Sequence, residues 1–227
     1  MANGIFVTGT DTGVGKTWFT ITLMEALKEQ GHQVAGMKPI AAGAILNNGR
    51  LINEDASSIM HHCSKSTDYE LINPFVFELP VAPHIAACEQ NEVISLDQII
   101  ACYGQLAAQN RNVVVEGVGG WRVPISENIS TVDIVRDLDL PVIMVVGIRL
   151  GCINHAILTA EAIRSDGVNL CGWVSNQLEK DHLFIRETNN TLKERLACPR
   201  IADIPYMSNF EPDKMLERID LSLIFGA

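Results

Sequence analysis

The residues Gly9 to Thr17, GTDTGVGKT, bring glycines, a lysine and a hydroxyl together in the order that a phosphate-holding turn requires. They follow the apolar run Ile5, Phe6, Val7 and precede a helix-forming segment that begins near Lys16. Glycines permit positive φ and close backbone approach, so that successive N–H groups can point at an anion while the helix dipole adds positive potential. Lys16 supplies a point charge for the outer phosphates, and Thr17 a hydroxyl suited to Mg²⁺, which prefers hard oxygen ligands. Counted from Gly9, five residues precede Gly15, where the common pattern has about four. The loop therefore begins at Thr10 or carries one extra residue. The competing reading is a tight strand-to-helix turn with Lys16 in solvent.

Other residues have chemistry to offer if the chain brings them to the same place. Lys38 follows the short apolar strand Val34 to Met37 and precedes Pro39. Glu116 ends a strand of three consecutive valines, Asn112 to Val115, and opens the flexible sequence EGVGG. Asn176 and Gln177 end a strand that starts at Leu170, and the amide of Asn176 can pair with a purine edge. Asp55 stands at the start of a short helix through Met60, where taken alone it reads as an ordinary first-turn acid. A helix starting at Cys152 or Ile153, with Ile157, Leu158, Ala162 and Ile163 as its apolar face, offers free N–H groups as a second anion site.

The elements that must position these groups alternate along the chain. After the loop, Trp18, Phe19, Leu23, Met24, Ala26 and Leu27 make an apolar helical face closed by Gly31. Ala41 to Arg50 reads as a loop, and the proline-punctuated stretch Cys63 to Pro83 as an irregular excursion. Helices are expected at His84 to Glu89, after a capping box of Ser95 and Gln98, at Thr131 to Leu138, at Asp181 to Leu196 and at Asp213 to Leu223. Buried strands are expected at Pro141 to Gly147 and Arg200 to Ile204. The pattern predicts a single α/β domain over residues 1–227, a mainly parallel sheet with helices on both faces. In such a sheet the strand carboxyl ends open on one side, so Lys38, Glu116, Asn176 and the phosphate loop can converge.

The formal net charge of −10 over 227 residues argues against a nucleic-acid or anionic-membrane partner. The six cysteines show no metal-like spacing and read mostly as buried thiols. No signal peptide is visible, and the most apolar stretch, Leu140 to Ile148, is about half the ~20 residues of a spanning helix. A cytoplasmic location is expected. No nucleophile with an attendant base stands out, and the guanine-reading NKxD motif is absent, so ATP is preferred over GTP.

Several stretches together resemble the dethiobiotin synthetase family: FVTGTDTGVGKT, KPIAAG at Lys38, NEDA at Asp55, APHIAA, VEGVGGW, VVGIRLGCINHAILTAEAI and GWVSNQ. The resemblance covers nearly the whole chain. It implies a reaction in which diaminopelargonic acid takes up CO₂ as a carbamate, ATP phosphorylates it, and the second amine displaces phosphate to close a ureido ring. It also implies roles. Lys38 would stabilise the carbamate and its mixed anhydride; Lys16 would serve the phosphates; Thr17, Asp55 and Glu116 would hold Mg²⁺. Gly13, Val14, Gly15, Lys16, Thr17 and Trp18 would surround the phosphates. Glu116, Gly117, Val118 and Gly119, with Asn176, Gln177, Pro205, Tyr206 and Met207, would line the nucleotide. Thr12, Lys38 and Ala42 would face the substrate. A homodimer is implied, with the substrate carboxylate meeting Gly151, Cys152, Ile153 and Asn154 of the neighbouring subunit. Ala42 stands where the family often carries a hydroxyl residue, and Ala82 where APHIAA more often begins with serine.

The alternative is a nucleotide-driven switch of the partitioning or metallochaperone type. Those proteins usually carry an extra lysine early in the loop, where Asp11 stands here, and often a basic amphipathic tail.

Overall fold

The computed structural model describes residues 3–225; the ends of the expected domain, residues 1–2 and 226–227, lie outside it. In chain order the elements begin with β1 (Asn3–Gly9), α1 (Lys16–Glu29), β2 (Val34–Met37), β3 (Ile40–Ala41), β4 (Ile45–Asn47), β5 (Arg50–Ile52) and α2 (Glu54–His61). There follow α3 (Tyr69–Ile72), β6 (Phe75–Val76), α4 (Pro83–Glu89), α5 (Leu96–Gln109), β7 (Asn112–Glu116) and α6 (Thr131–Leu138). The chain continues through β8 (Val142–Ile148), α7 (Cys152–Ser165), β9 (Leu170–Gln177), α8 (Ile185–Leu196) and β10 (Arg200–Ile204), then α9 (Pro212–Leu216) and α10 (Ser222–Phe225).

Six strands form one parallel sheet in the order β10-β9-β8-β1-β7-β2. Every residue of β7 and β8 is buried. Since successive side chains point to opposite faces, burial at each position means that both faces are covered, as a continuous Val/Ile-rich strand requires. β1 lies between β7 and β8, so the chain leaves it in opposite directions on its two sides. That switch point opens a crevice at the carboxyl ends of the strands, directly where the loop after β1 sits.

The register decides which side chains meet there. Met37 of β2 pairs with Val115 of β7, so the residues next along each strand, Lys38 and Glu116, come to the same level. Glu116 is also level with Val7 of β1, and Asn176 of β9 with Gly147 of β8.

Several local expectations are corrected. Ala41 to Arg50 is not a plain loop: β4 and β5 form an antiparallel hairpin. Its two-residue turn is Asn48–Gly49, both with positive φ, the geometry an Asn-Gly pair favours. The excursion over 63–83 holds α3 and β6, the latter paired with β3. α8 begins at Ile185, not Asp181. The terminal helix expected over Asp213–Leu223 is two short ones, α9 and α10. On α7 the buried positions are Cys152, Ala156, Ala160 and Ile163, while Leu158 is exposed. Two alanines on the buried face let this helix lie close, and Ile163 is buried beside them. At α5 the Ser95 hydroxyl accepts from the Gln98 N–H, but no return bond from the Gln98 side chain appears among the hydrogen bonds described. All six cysteines are free; Cys102 and Cys152 are buried, Cys88 is exposed, and the other three are half-buried.

Candidate active site

The loop after β1 spans Thr10 to Gly15. Gly9 ends the strand, and a methyl group there would come within 2.6 Å of the Val14 side chain. The loop proper therefore begins at Thr10. Gly13 and Gly15 have φ of 72° and 89°, values that a side chain would strain. Gly15 is the N-cap of α1, and a Cβ at this position would fall 2.2 Å from the amide nitrogen of Asn176. That nitrogen donates to the Val14 carbonyl at 2.8 Å, so Asn176 braces the loop from β9. Asp11 pairs with Arg149. The Thr12 N–H and then Arg149 hold its carboxyl below the usual range.

Lys16 is buried, and its ammonium donates to the Asp11 carbonyl at 2.9 Å. Burial lowers its pKa to about 8, because a single neutral acceptor and the repulsion of Lys38 leave the loss of water only partly offset by Glu116. Lys38 is also buried, yet its pKa is raised. Burial alone would favour the free amine, but Glu116 and then Asp55 outweigh it. The Lys38 ammonium lies 2.5 Å from Glu116 Oε1 and 3.0 Å from Asp55 Oδ2. The Thr17 hydroxyl donates to the same Glu116 oxygen at 2.9 Å. Partial burial pushes Asp55 up, but Lys38 dominates and its carboxyl stays below the ordinary value.

A buried network fixes the backbone on this side. The Tyr69 hydroxyl accepts from the Asn53 N–H at 2.8 Å and donates to Asn73 Oδ1 at 3.0 Å. Asn73 in turn donates to the Lys38 carbonyl at 2.8 Å. Asn53 caps α2, the helix that carries Asp55, and its amide reaches the Ala42 carbonyl at 3.3 Å. One phenol thus ties the Lys38 main chain to the start of the Asp55 helix.

The groups open into a cleft of about 920 Å³. Thr12, Gly13, Gly15, Lys16, Thr17, Trp18, Lys38, Ala42, Asp55, Glu116, Val118, Gly119, Asn176, Gln177, Tyr206 and Met207 all line it. Val14 is packed beneath the loop, and Gly117 faces a small cavity behind Glu116. Pro205 and the segment Gly151–Asn154 do not line the cleft. Sequence reasoning missed Asn53 and the wall Pro80–Pro83. Asn53 carried an N-cap signal ahead of Glu54 and Asp55, whereas the wall was marked by its prolines and by the start of APHIAA without being given a role in the site.

Fold and loop together define a P-loop nucleotide-binding protein. A family model described as an AAA domain matches residues 3–214, and the chain belongs to that family. Its fold is shared by a ParA family ATPase from Chlorobium tepidum, with TM-score 0.55 and 14% identity over 100% of this chain and 90% of that one. It is shared too by the MinC:MinD cell division protein complex of Aquifex aeolicus, with TM-score 0.54 and 14% identity over 91% and 82%. Identity at that level speaks for the fold alone.

Closer relatives narrow the assignment. The ATP-dependent dethiobiotin synthetase BioD of Xanthomonas axonopodis pv. citri is 43% identical over 201 residues, covering 88% of this chain and 90% of its own. That of Aromatoleum aromaticum is 41% identical over 216 residues, covering 95% and 96%. The chain belongs to the ATP-dependent dethiobiotin synthetase family. Among the described residues, no helix is long and apolar enough to cross a membrane.

Proposed function

We propose that this protein is a dethiobiotin synthetase acting as a single catalytic domain in the cytoplasm. It takes up CO₂ on diaminopelargonic acid, phosphorylates the carbamate with ATP to release ADP, and closes the ureido ring as phosphate leaves. The observation that carries this reading is the pairing of two buried lysines in one cleft, one at the end of the phosphate loop and one at the end of β2, two strands away from β1 in the sheet.

Phosphoryl transfer asks the protein for alignment and charge neutralisation more than for covalent chemistry. Backbone N–H groups from Gly13 to Thr17 and the Lys16 ammonium hold the polyphosphate. Phosphate oxygens there replace the single carbonyl that the Lys16 ammonium now touches. Lys38 faces the carbamate and steadies the anionic oxygens through which the phosphoryl group is received. The same ammonium then stabilises the mixed anhydride while the second amine attacks its carbonyl carbon. Asn176 supports adenine as the base: with one N–H donating to Val14, its free amide oxygen can accept from a 6-amino purine. Gln177, Tyr206 and Met207 line the cleft, and Pro205 precedes the last two in the chain.

The donor set suits magnesium. Thr17 Oγ1, Asp55 and Glu116 offer hard oxygens, and Glu116 Oε2 is buried without a hydrogen-bond partner. These three residues would hold Mg²⁺, which when bound neutralises charge on the phosphates. Gly151 to Asn154, at the start of α7 and outside the cleft, would meet the substrate carboxylate from the neighbouring subunit of a homodimer. Diaminopelargonic acid, bicarbonate and ATP are thus the expected partners.

The test is the dependence of ATP turnover on both bicarbonate and the vicinal diamine. Omission of either should abolish it. ATP hydrolysis indifferent to both would favour the switch reading instead.

A further inference from the structure

Lys38 sits in an unexpected place for a residue that serves the carbamate. Its ammonium, at the cleft wall, is already engaged: it bridges Glu116 Oε1 at 2.5 Å and Asp55 Oδ2 at 3.0 Å. Glu116 is fully buried, Lys38 nearly so, and the Thr17 hydroxyl completes the arrangement on the same carboxylate oxygen. The oxygens that surround this ammonium are the ones that would hold a metal. The second oxygen of Glu116 is buried and unpaired, so the carboxylate has capacity left for a cation better suited than an ammonium.

We propose that Lys38 is the resident cation of the metal seat, and that its departure from Asp55 and Glu116 is what both admits a divalent ion and delivers the ammonium to the carbamate. This rests on the assignment of Thr17, Asp55 and Glu116 to the metal. Charge counting gives the order of events. In the ligand-free cleft, Lys16 and Lys38 already balance Asp55 and Glu116. A divalent ion arriving alone would crowd four positive charges around two negative ones at short range, where such repulsion is strong. The polyphosphate of ATP reverses the balance. Lys38 is therefore released only when nucleotide and metal come together, so that the carbamate-binding group becomes available only in an enzyme ready to phosphorylate. Its flexible four-carbon stem allows the swing without backbone movement, and the backbone is pinned by Asn73 on the Lys38 carbonyl.

Mn²⁺ is the probe, with free ion measured by electron paramagnetic resonance in protein lacking nucleotide. Wild type should bind it weakly, and a nonhydrolysable ATP analogue should restore tight binding. Lys38→Met should bind Mn²⁺ without nucleotide on the order of 100-fold more tightly than wild type, whereas Lys38→Arg, which keeps the charge, should not. Since Lys38→Met leaves a buried carboxylate uncompensated, thermal unfolding gives a second readout: Mn²⁺ should raise the melting temperature of that variant and leave wild type unmoved. Wild type binding Mn²⁺ as tightly without nucleotide as with it would overturn the proposal. So would a Lys38→Met protein that gains neither affinity nor thermal stability. These measurements are separate from the functional reading, which fails on the absence of diamine-dependent turnover even if the ion exchange is found. Absence of Mn²⁺ binding in every form, nucleotide present or not, would remove the metal seat itself.

Discussion

Removing one oxygen atom, in Tyr69→Phe, is expected to loosen Lys38 and Asp55 together. The Tyr69 side chain is buried, so water cannot readily take the place of the lost hydroxyl. Two buried groups lose their partner, the Asn53 N–H and Asn73 Oδ1. An unsatisfied buried group costs about 1–3 kcal/mol, so the combined loss is roughly 2–4 kcal/mol once partial relaxation is allowed. For a chain of this size that lowers the melting temperature by roughly 5–15 °C. The functional consequence is more telling. Asn73 no longer holds the Lys38 carbonyl firmly, and the cap of the Asp55 helix is weakened, while the loop from Thr10 to Gly15 has no bond to Tyr69 among the hydrogen bonds described. Turnover should fall about tenfold, as expected for sub-ångström misplacement of positioned groups, with KM for ATP within about twofold of wild type. Calorimetry and steady-state kinetics at saturating diamine read both effects. The Tyr69→Phe/Asn73→Ala double variant should lose less than the sum of the two single variants. A Tyr69→Phe protein that melts early but keeps full turnover would refute the argument that this network positions the site.

The two lysines should separate kinetically. Lys38→Ala should lower turnover at least about 100-fold with ATP affinity within roughly threefold, whereas Lys16→Ala should damage both; equal patterns in a nucleotide titration and a rate assay would contradict their distinct roles. Gly15→Ala forces a side chain onto a φ of 89° and into the Asn176 amide, so ATP binding should be lost, or weakened at least about tenfold, by calorimetric titration. Glu25 accepts from Lys28 and from the His62 ring, and although burial raises its pKa these partners prevail and lower it. Its contribution is thus present above the unfolded-state value of 4.5 and is lost as pH falls through the lower native one. Glu25→Gln should destabilise by about 0.5–1 kcal/mol at pH 7, with the gap closing in urea melts as the pH falls below 4.5 and through the lower native value. A fully active monomer by light scattering would contradict a substrate site shared between subunits.

Much of the site was legible because its parts end strands. The glycine loop declared itself by residue type, and Val113, Val114 and Val115 marked a covered strand with Glu116 at its end. Once the sheet is taken as parallel, Lys38, Glu116 and Asn176 must share an edge, and the register between Met37 and Val115 completes that inference. What escaped depends on tertiary contacts or on a local signal passed over. The hairpin over residues 45–52 carries Asn48–Gly49, a turn pair that pattern reading could have used. The Tyr69–Asn73 network had no such mark. Its meaning comes from Lys38 and Asn53, far apart in sequence and brought to one phenol only by the fold. The buried face of α7 was legible in part: Ile163 is buried as expected, but Ala156 and Ala160 pack inward and Leu158 is exposed. The resting place of Lys38 on two carboxylates was likewise invisible, since sequence gives a side chain's neighbourhood but not its partner.

The most direct measurement of the central claim is mass analysis of the product formed from diaminopelargonic acid, ¹³C-bicarbonate and Mg-ATP. The account predicts dethiobiotin carrying one labelled carbon, with ADP and phosphate released in equal number to the product. ATP consumed without a labelled cyclic urea, or label found only in an open carbamate, would contradict it.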